Sequence, residues 1–258
     1  MKWIRAADTA LLRREGTGPT LVLLHGIGSN AESWRPMVSA LPHDADVVAW
    51  WAPGYGDSRP VRPERPTPAD YAARLAQVLD GLSLDRVALV GHSLGCLFAG
   101  AFALAHPDRV AALALLSPAL GYGVAPGAAL PPGVQARIDD LAELGPRAFA
   151  AKRAGRLVHR PESLPAVREA MSAVNLPGYA QAVHALGAGD LLRDAKRLPP
   201  ALVACGEFDA ITPPSNACAL HAALPASTLH IVPEAGHALP QDQPGAVAAL
   251  LAGMLAHV

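Results

Sequence analysis

The sequence predicts an α/β fold, a mostly parallel, doubly wound sheet with helices on both faces and an inserted helical cap. Three observations carry that expectation. Short β-branched or Leu-rich runs recur along the chain, each separated from the next by enough residues for a crossover helix. Several of these runs are apolar without alternation, as strands covered on both faces should be. One interval, from about Pro118 to Pro199, breaks the rhythm: its roughly eighty residues hold no recognisable strand, where a crossover needs only about a dozen.

The elements follow in order. The first fifteen residues suggest an antiparallel hairpin at the sheet edge, ahead of strands at Thr20 to Leu24 and Asp46 to Trp50. Pro68 to Leu82 reads as a helix, opened by Thr67, with Pro68 at the first helical position and Asp70 in the first turn. Arg86 to Val90 is a strand, Leu94 to Ala105 a helix ended before Pro107, and Ala112 to Leu116 a strand. Inside the long interval, Val134 to Leu144, Leu164 to Val174 and Tyr179 to Leu186 have helical spacing of apolar positions, separated by Gly and Pro. Ala201 to Cys205 and Thr228 to Val232 complete the sheet. Residues 1–117 and 200–258 therefore form the expected core and 118–199 a cap over the C-terminal edge of the sheet, where open α/β sheets bind ligands.

Composition narrows the classes. The 258 residues are 51% hydrophobic, enough for a sizeable core. With 21 Lys+Arg against 22 Asp+Glu, the formal charge of -1 lacks the footprint of a nucleic-acid binder. The longest apolar runs, such as Val110 to Leu116, fall far short of the ~20 residues that cross a bilayer. The start, Met1 to Asp8, shows no apolar stretch of the kind found in export signals, so a cytoplasmic location is expected. Cys96, Cys205 and Cys218 are odd in number and far apart, which argues against a disulfide framework or zinc site, and they read as buried thiols. No histidine pairing of the His-Glu-x-x-His type supports metal chemistry. A small-molecule partner is expected, with the chain a monomer or small homo-oligomer and no cofactor.

The strongest motif is Gly91-His92-Ser93-Leu94-Gly95, directly after one strand and directly before a helix. It fits a nucleophile elbow, in which flanking glycines permit a strained strand-to-helix turn that leaves the Ser93 hydroxyl exposed above the sheet. A hydroxyl is a weak nucleophile unless a base takes its proton, so Ser93 needs a histidine and a carboxylate to orient it. Asp209 follows the strand ending at Cys205, and His237 follows the strand ending at Val232. Both would hang from the sheet edge that presents Ser93, in the chain order Ser, Asp, His. Glu207 is an alternative acid, two residues before Asp209. An oxyanion hole needs two backbone N–H donors. Leu94 supplies one at the helix start, and the loop His25-Gly26-Ile27-Gly28-Ser29-Asn30 the other, with Ile27 preferred and Gly28 the alternative.

Taken with the Pro53-Gly54-Tyr55-Gly56-Asp57-Ser58 turn, these motifs resemble the α/β-hydrolase superfamily from end to end except in the cap. The modest cap and the stretch from Gly178 to Leu192 are most similar to bacterial hydrolases of the 3-oxoadipate enol-lactonase and related esterase groups. The resemblance implies Ser93 as nucleophile, His237 as base then acid, Asp209 as its orienting carboxylate, and Ile27 and Leu94 as oxyanion donors. One departure is visible: relatives usually carry an Asp two residues before the Gly of the turn, where this chain has Trp51 and Ala52.

The expected activity is hydrolysis of a small carboxylic ester or lactone. The alternatives are hydrolysis of a carbon-carbon bond in a vinylogous diketone acid, or a receptor on the same fold that binds a small ligand without turnover. Gly26-Ile27-Gly28-Ser29-Asn30-Ala31 also satisfies a dinucleotide fingerprint, but Trp50 and Trp51 stand where the ribose-binding acid belongs, whereas Asp46 begins that strand. His25 and His92 read as structural, hydrogen-bonding loops or strand ends. Gly28, Trp34, Tyr122 and Leu239 either line the acyl pocket or belong to the core. Arg147, Lys152, Arg153, Arg156, Arg160 and Arg168 form a basic cluster in the cap. That cluster is either a receptor for a substrate carboxylate or, the favoured reading, a solvated face balanced by Asp139, Asp140 and Glu143.

Overall fold

In the computed structural model, which describes residues 1–125 and 127–256, the strands are β1 (Lys2–Ala6), β2 (Thr9–Arg14), β3 (Thr20–Leu24), β4 (Asp46–Trp50), β5 (Val87–His92), β6 (Val110–Leu116), β7 (Ala201–Gly206) and β8 (Ser227–Val232). The helices are α1 (Arg35–Ala40), α2 (Pro68–Gly81), α3 (Leu94–Ala105), α4 (Pro132–Arg153), α5 (Leu164–Ser172), α6 (Leu176–Ala188), α7 (Leu191–Asp194), α8 (Pro214–Ala223), α9 (Leu239–Asp242) and α10 (Pro244–Leu255). All six predicted parallel strands are present: β3 and β4 with the predicted bounds, β6, β7 and β8 longer by one or two residues, and β5 starting one residue later and ending two later; β1 and β2 make the edge hairpin.

The eight strands form one sheet in the order β1-β2-β4-β3-β5-β6-β7-β8, antiparallel only at β1/β2 and β2/β4. Because β3 lies between β4 and β5, the chain reverses its winding direction there. The loops leaving β3 and β5 meet at that switch point, with Leu24 in register with Gly91.

Both faces of the sheet are covered, which explains why its central strands lack polar alternation. Val22 and Leu24 of β3 join one hydrophobic cluster with α2 and α3, while Leu21 and Leu23 join a second with α1 and α10. Helix α3 is apolar nearly all round and is buried accordingly. Helix α2 starts where its sequence says it should, with the Thr67 N–H donating to the Asp70 carboxylate at 2.7 Å.

Between β6 and β7 lie α4 to α7, and the sole strand-like pairing among the described residues there is one bridge between Gly121 and Asp190. Helix α4 is broken at Gly145, whose φ of 70° and ψ of 165° precede Pro146, so the predicted helix ends at Leu144 as expected and a second half follows. Lys152 and Arg153 return to donate to Asp140 at 2.8 and 2.5 Å, clasping the two halves. Among the described residues, no helix is long and apolar enough to cross a membrane. One expectation is corrected: Cys96 and Cys205 are buried thiols, but Cys218 on α8 is exposed, because that helix buries only the face holding Ala217 and Leu220.

Candidate active site

Ser93 occupies the turn between β5 and α3 with φ 53° and ψ −116°, a conformation few non-glycine residues adopt. The turn closes only because its neighbours lack side chains. A methyl group on Gly91 would lie 2.5 Å from the Gly95 carbonyl oxygen, and one on Gly95 would overlap the Leu24 carbonyl. Strand and helix thus pack at backbone contact, and the Ser93 backbone is tied to β6 through its N–H to Leu116 O at 2.9 Å.

The side chains predicted from three separate loops converge. Ser93 Oγ lies 3.0 Å from His237 Nε2, and His237 Nδ1 lies 2.9 and 3.1 Å from the two oxygens of Asp209. Facing a carboxylate, Nδ1 carries the proton, which leaves the Nε2 lone pair for the serine hydroxyl. All three residues are buried. Asp209 also accepts the backbone N–H groups of Ile211 and Thr212, each at 2.9 Å, and the Thr212 hydroxyl at 2.9 Å. Burial alone would raise the Asp209 carboxyl, but hydrogen bonds from His237, Thr212 and Ile211 outweigh it and hold the group ionised well below the usual carboxylate range. Glu207, the alternative acid, is exposed and points elsewhere, accepting the Glu234 N–H. Thr212 was not singled out in the sequence, although its place three residues after Asp209 is the spacing of a local side-chain turn.

The loop after β3 lies directly against the serine: a methyl group on Gly26 would sit 2.9 Å from Ser93 Cβ. The backbone N–H groups of Ile27 and of Leu94, the first residue of α3, have no acceptor among the described residues. His25 and His92 are scaffolding. His25 donates from Nδ1 to Gly26 O and accepts the Ala52 N–H at Nε2, and His92 Nε2 donates to His237 O at 2.7 Å. Burial lowers His25 to about 4 and, with His237 adding to it, His92 to about 3, so both rings are neutral. The Trp51-Ala52 departure finds its local account here. The His25 ring takes the Ala52 N–H, and the Ser58 hydroxyl donates to Trp51 O at 2.7 Å.

The dinucleotide reading has no support in this loop. It runs into a single short turn, Ala31–Trp34, capped by Asn30, and Asp46 is held at the far end of β4 by Arg13 and Thr20. Among the described residues, no group of three His, Cys, Asp or Glu is arranged to hold a metal ion.

Above Ser93 and His237 opens a cavity of about 320 Å³, with Leu120, Leu157, Met171, Leu186 and Ile211 as apolar wall. Tyr122 borders it, half exposed, while Gly28 borders an adjoining smaller recess with Ile27 and His237. Trp34 and Leu239 line neither space. Trp34 is packed edge-on against the His92 ring and Leu239 is buried among the α1 and α10 side chains, so both belong to the core. The basic cluster divides. Arg153 and Arg156 line the cavity together with Arg137, which the sequence did not single out, whereas Arg147 and Arg168 border a separate surface groove.

Behind His237, Asp242 Oδ2 accepts both the Gly236 N–H and the His159 N–H at 2.8 Å, and the Ala238 N–H donates to Leu157 O at 2.7 Å. The histidine loop is thereby joined to the segment between β6 and β7.

Comparison with known proteins identifies the family and the fold. The profile of the alpha/beta hydrolase fold family matches residues 19–244. The chain is 30% identical over 248 residues to the protein named "Putative carbamate hydrolase RutD" of Shigella flexneri, covering 92% of this chain and 91% of that one. Among solved structures it is similar to a thermophilic esterase from Thermogutta terrifontis, with a TM-score of 0.86, 25% identity, and 99% and 98% of the two chains covered. It also shares its fold with the enol-lactonase from Burkholderia xenovorans LB400, with a TM-score of 0.86, 24% identity, and 99% and 100% covered.

Proposed function

The chain belongs to the alpha/beta hydrolase fold family and is a hydrolase, and from that premise we propose that it cleaves a small carboxylic ester or lactone through an acyl-enzyme on Ser93. The observation that carries the reading is the unbroken hydrogen-bonded series from Ser93 Oγ through His237 to Asp209, opening onto a cavity with an apolar wall.

In this mechanism His237 Nε2 takes the Ser93 proton as Oγ attacks the carbonyl carbon. Negative charge then develops on the carbonyl oxygen, within reach of the free Ile27 and Leu94 amides, where the start of α3 adds its dipole. Collapse of the intermediate expels the alcohol, protonated by His237. Water, deprotonated by the same nitrogen, releases the acid and restores Ser93. Asp209 stays ionised throughout and stabilises the imidazolium that forms at each step. Residues 118–199 act as a cap that shapes the substrate space, since α4 to α6 contribute much of the cavity wall.

A carbamate is the second substrate class to assay, on the similarity to the RutD protein, because its carbonyl can be attacked in the same way. The test is Ser93→Ala. Turnover of p-nitrophenyl acetate should be lost while circular dichroism stays unchanged, and a fluorophosphonate should label Ser93 of the native protein, read by mass spectrometry. Full activity in the variant would overturn the reading.

A further inference from the structure

Thr212 is buried where the chain segments leaving β6, β7 and β8 meet. Its hydroxyl oxygen lies 2.9 Å from Asp209 Oδ2, 3.0 Å from Ser117 O just past β6, and 3.1 Å from His237 Nδ1. Its backbone N–H donates to Asp209 Oδ1 at 2.9 Å, beside that of Ile211 at the same distance. Two backbone donors already aim the carboxylate, so the side chain is free for another task.

The hydroxyl has one proton and two lone pairs to divide among three neighbours. Nδ1–H is a donor, so toward His237 the oxygen accepts. Its own proton has two acceptors at almost equal distance, the Asp209 carboxylate and the Ser117 carbonyl, and serves one at a time. The charge on the ring decides between them. While His237 is neutral, the ionised carboxylate is the stronger acceptor. Once His237 has taken the Ser93 proton, an O–H aimed at Asp209 dilutes the charge that faces the imidazolium. An O–H aimed at Ser117 O leaves that charge whole and turns lone-pair density toward the ring. Rotation about Cβ–Oγ1 exchanges the two arrangements without moving a heavy atom, and in a buried site the reorientation counts for more than it would in water.

We propose that Thr212 is a positioning residue of the triad, giving its hydroxyl proton to Asp209 in the resting site and to Ser117 O while His237 carries the Ser93 proton. The proposal rests on the reading of Ser93, His237 and Asp209 as the reacting series. Thr212 makes and breaks no covalent bond; only its hydrogen bond changes partner. Because an imidazolium forms in acylation and again in deacylation, the hydroxyl lowers both barriers alike.

Three variants separate the hydroxyl from the bulk of the side chain: Thr212→Val keeps the shape without the hydroxyl, Thr212→Ser keeps the hydroxyl without the methyl, and Thr212→Ala has neither. With p-nitrophenyl acetate, Thr212→Val and Thr212→Ala should each lose about ten- to hundredfold in kcat. KM should stay within about twofold, since both steps slow together, and Thr212→Ser should keep kcat within about threefold. Melting temperatures should sort differently, by volume, with Thr212→Ala below Thr212→Val. The rate at which a fluorophosphonate labels Ser93 also needs the imidazolium but no knowledge of the substrate, and it should follow kcat. A Thr212→Val protein at or above the native rate, with Ser93→Ala inactive, would overturn the proposal and leave the triad, because the hydroxyl would then be a fixed donor that only drains charge from Asp209. Thr212→Ser as slow as Thr212→Ala would overturn it in favour of methyl packing, and this pair decides the matter if Thr212→Val does not fold. Turnover surviving in Ser93→Ala would instead remove the triad reading, and the role of Thr212 with it.

Discussion

At the scale of single residues, Ser93 is held in its strained conformation by backbone contact on both sides, which is why its neighbours matter as much as its hydroxyl. Gly95→Ala would drive a methyl group into the Leu24 carbonyl, and the native fold should be lost or the melting temperature lowered by 10 °C or so, read by thermal unfolding. In the proposed mechanism Asp209 acts through His237. Asp209→Asn removes the charge that fixes the Nδ1–H tautomer, so kcat should fall by about three to four orders of magnitude with KM little changed and the fold intact. A native rate in that variant would show that the carboxylate does not orient the ring. The thiols give an independent check on the interior. Burial pushes the Cys205 thiol up to about 12 and Cys96 higher still, and both are enclosed, whereas Cys218 is exposed. Ellman's reagent should therefore titrate one thiol in the native protein and all 3 after denaturation.

At the scale of elements, the joint between α9, the His237 loop and residues 157–159 is made by the buried Asp242 carboxylate together with the Ala238 N–H to Leu157 O hydrogen bond. Asp242→Ala would leave the Gly236 and His159 N–H groups without an acceptor, at a cost of about 2–4 kcal/mol, and would let the loop that carries His237 drift. The melting temperature and kcat should fall together. Asp242→Asn keeps a carbonyl acceptor and should recover most of both; failure to recover either would show that the charge, not the hydrogen bonds, makes the joint. How far such elements can be read from sequence varies with their contrast. The buried strands stand out as dense apolar runs between turns, and Ser93, Asp209 and His237 each follow one, so their meeting place follows from parallel topology. Helices α8 and α10 carry little periodic signal because PSNACALHAA and PGAVAALLAGML are small-residue sequences with little difference between faces. Arg137 could not be placed by its sequence neighbours. Its approach to Arg153 depends on the left-handed turn at Gly145, which a Gly-Pro pair announces as a break but not as a direction. Trp34 and Leu239 are ambiguous in sequence because a large apolar side chain beside a site looks the same whether it faces the cavity or the core.

At the scale of the whole molecule, one hydrophobic cluster runs from the sheet through α2 and α3 into Phe149, Tyr179 and Val183 of the segment between β6 and β7, so that segment packs as a continuation of the core. The polar framework under the site is correspondingly buried, and this sets how stability depends on pH. His25 and His92 lie at the C-terminal ends of β3 and β5 as neutral rings with donors and acceptors already assigned. In the unfolded chain each takes up a proton near pH 6.5, but in the fold only near about 4 and about 3. Between those limits the unfolded state binds more protons, so the stabilisation is complete above about pH 6.5 and is lost as pH falls through the window. With two such groups the loss approaches roughly 2.7 kcal/mol per pH unit, or about 4 kcal/mol by pH 5. His184, lowered by burial and by Arg65, pulls the same way. The lowered carboxyl of Asp209 contributes in the same direction only below its own unfolded value near 3.8, and so not between pH 7 and pH 5. Denaturant unfolding at pH 7 and pH 5 should therefore show a marked drop. His92→Gln, whose amide can still donate to His237 O, should show about half that drop, and a native protein equally stable at both pH values would mean that these rings are not held neutral in the fold.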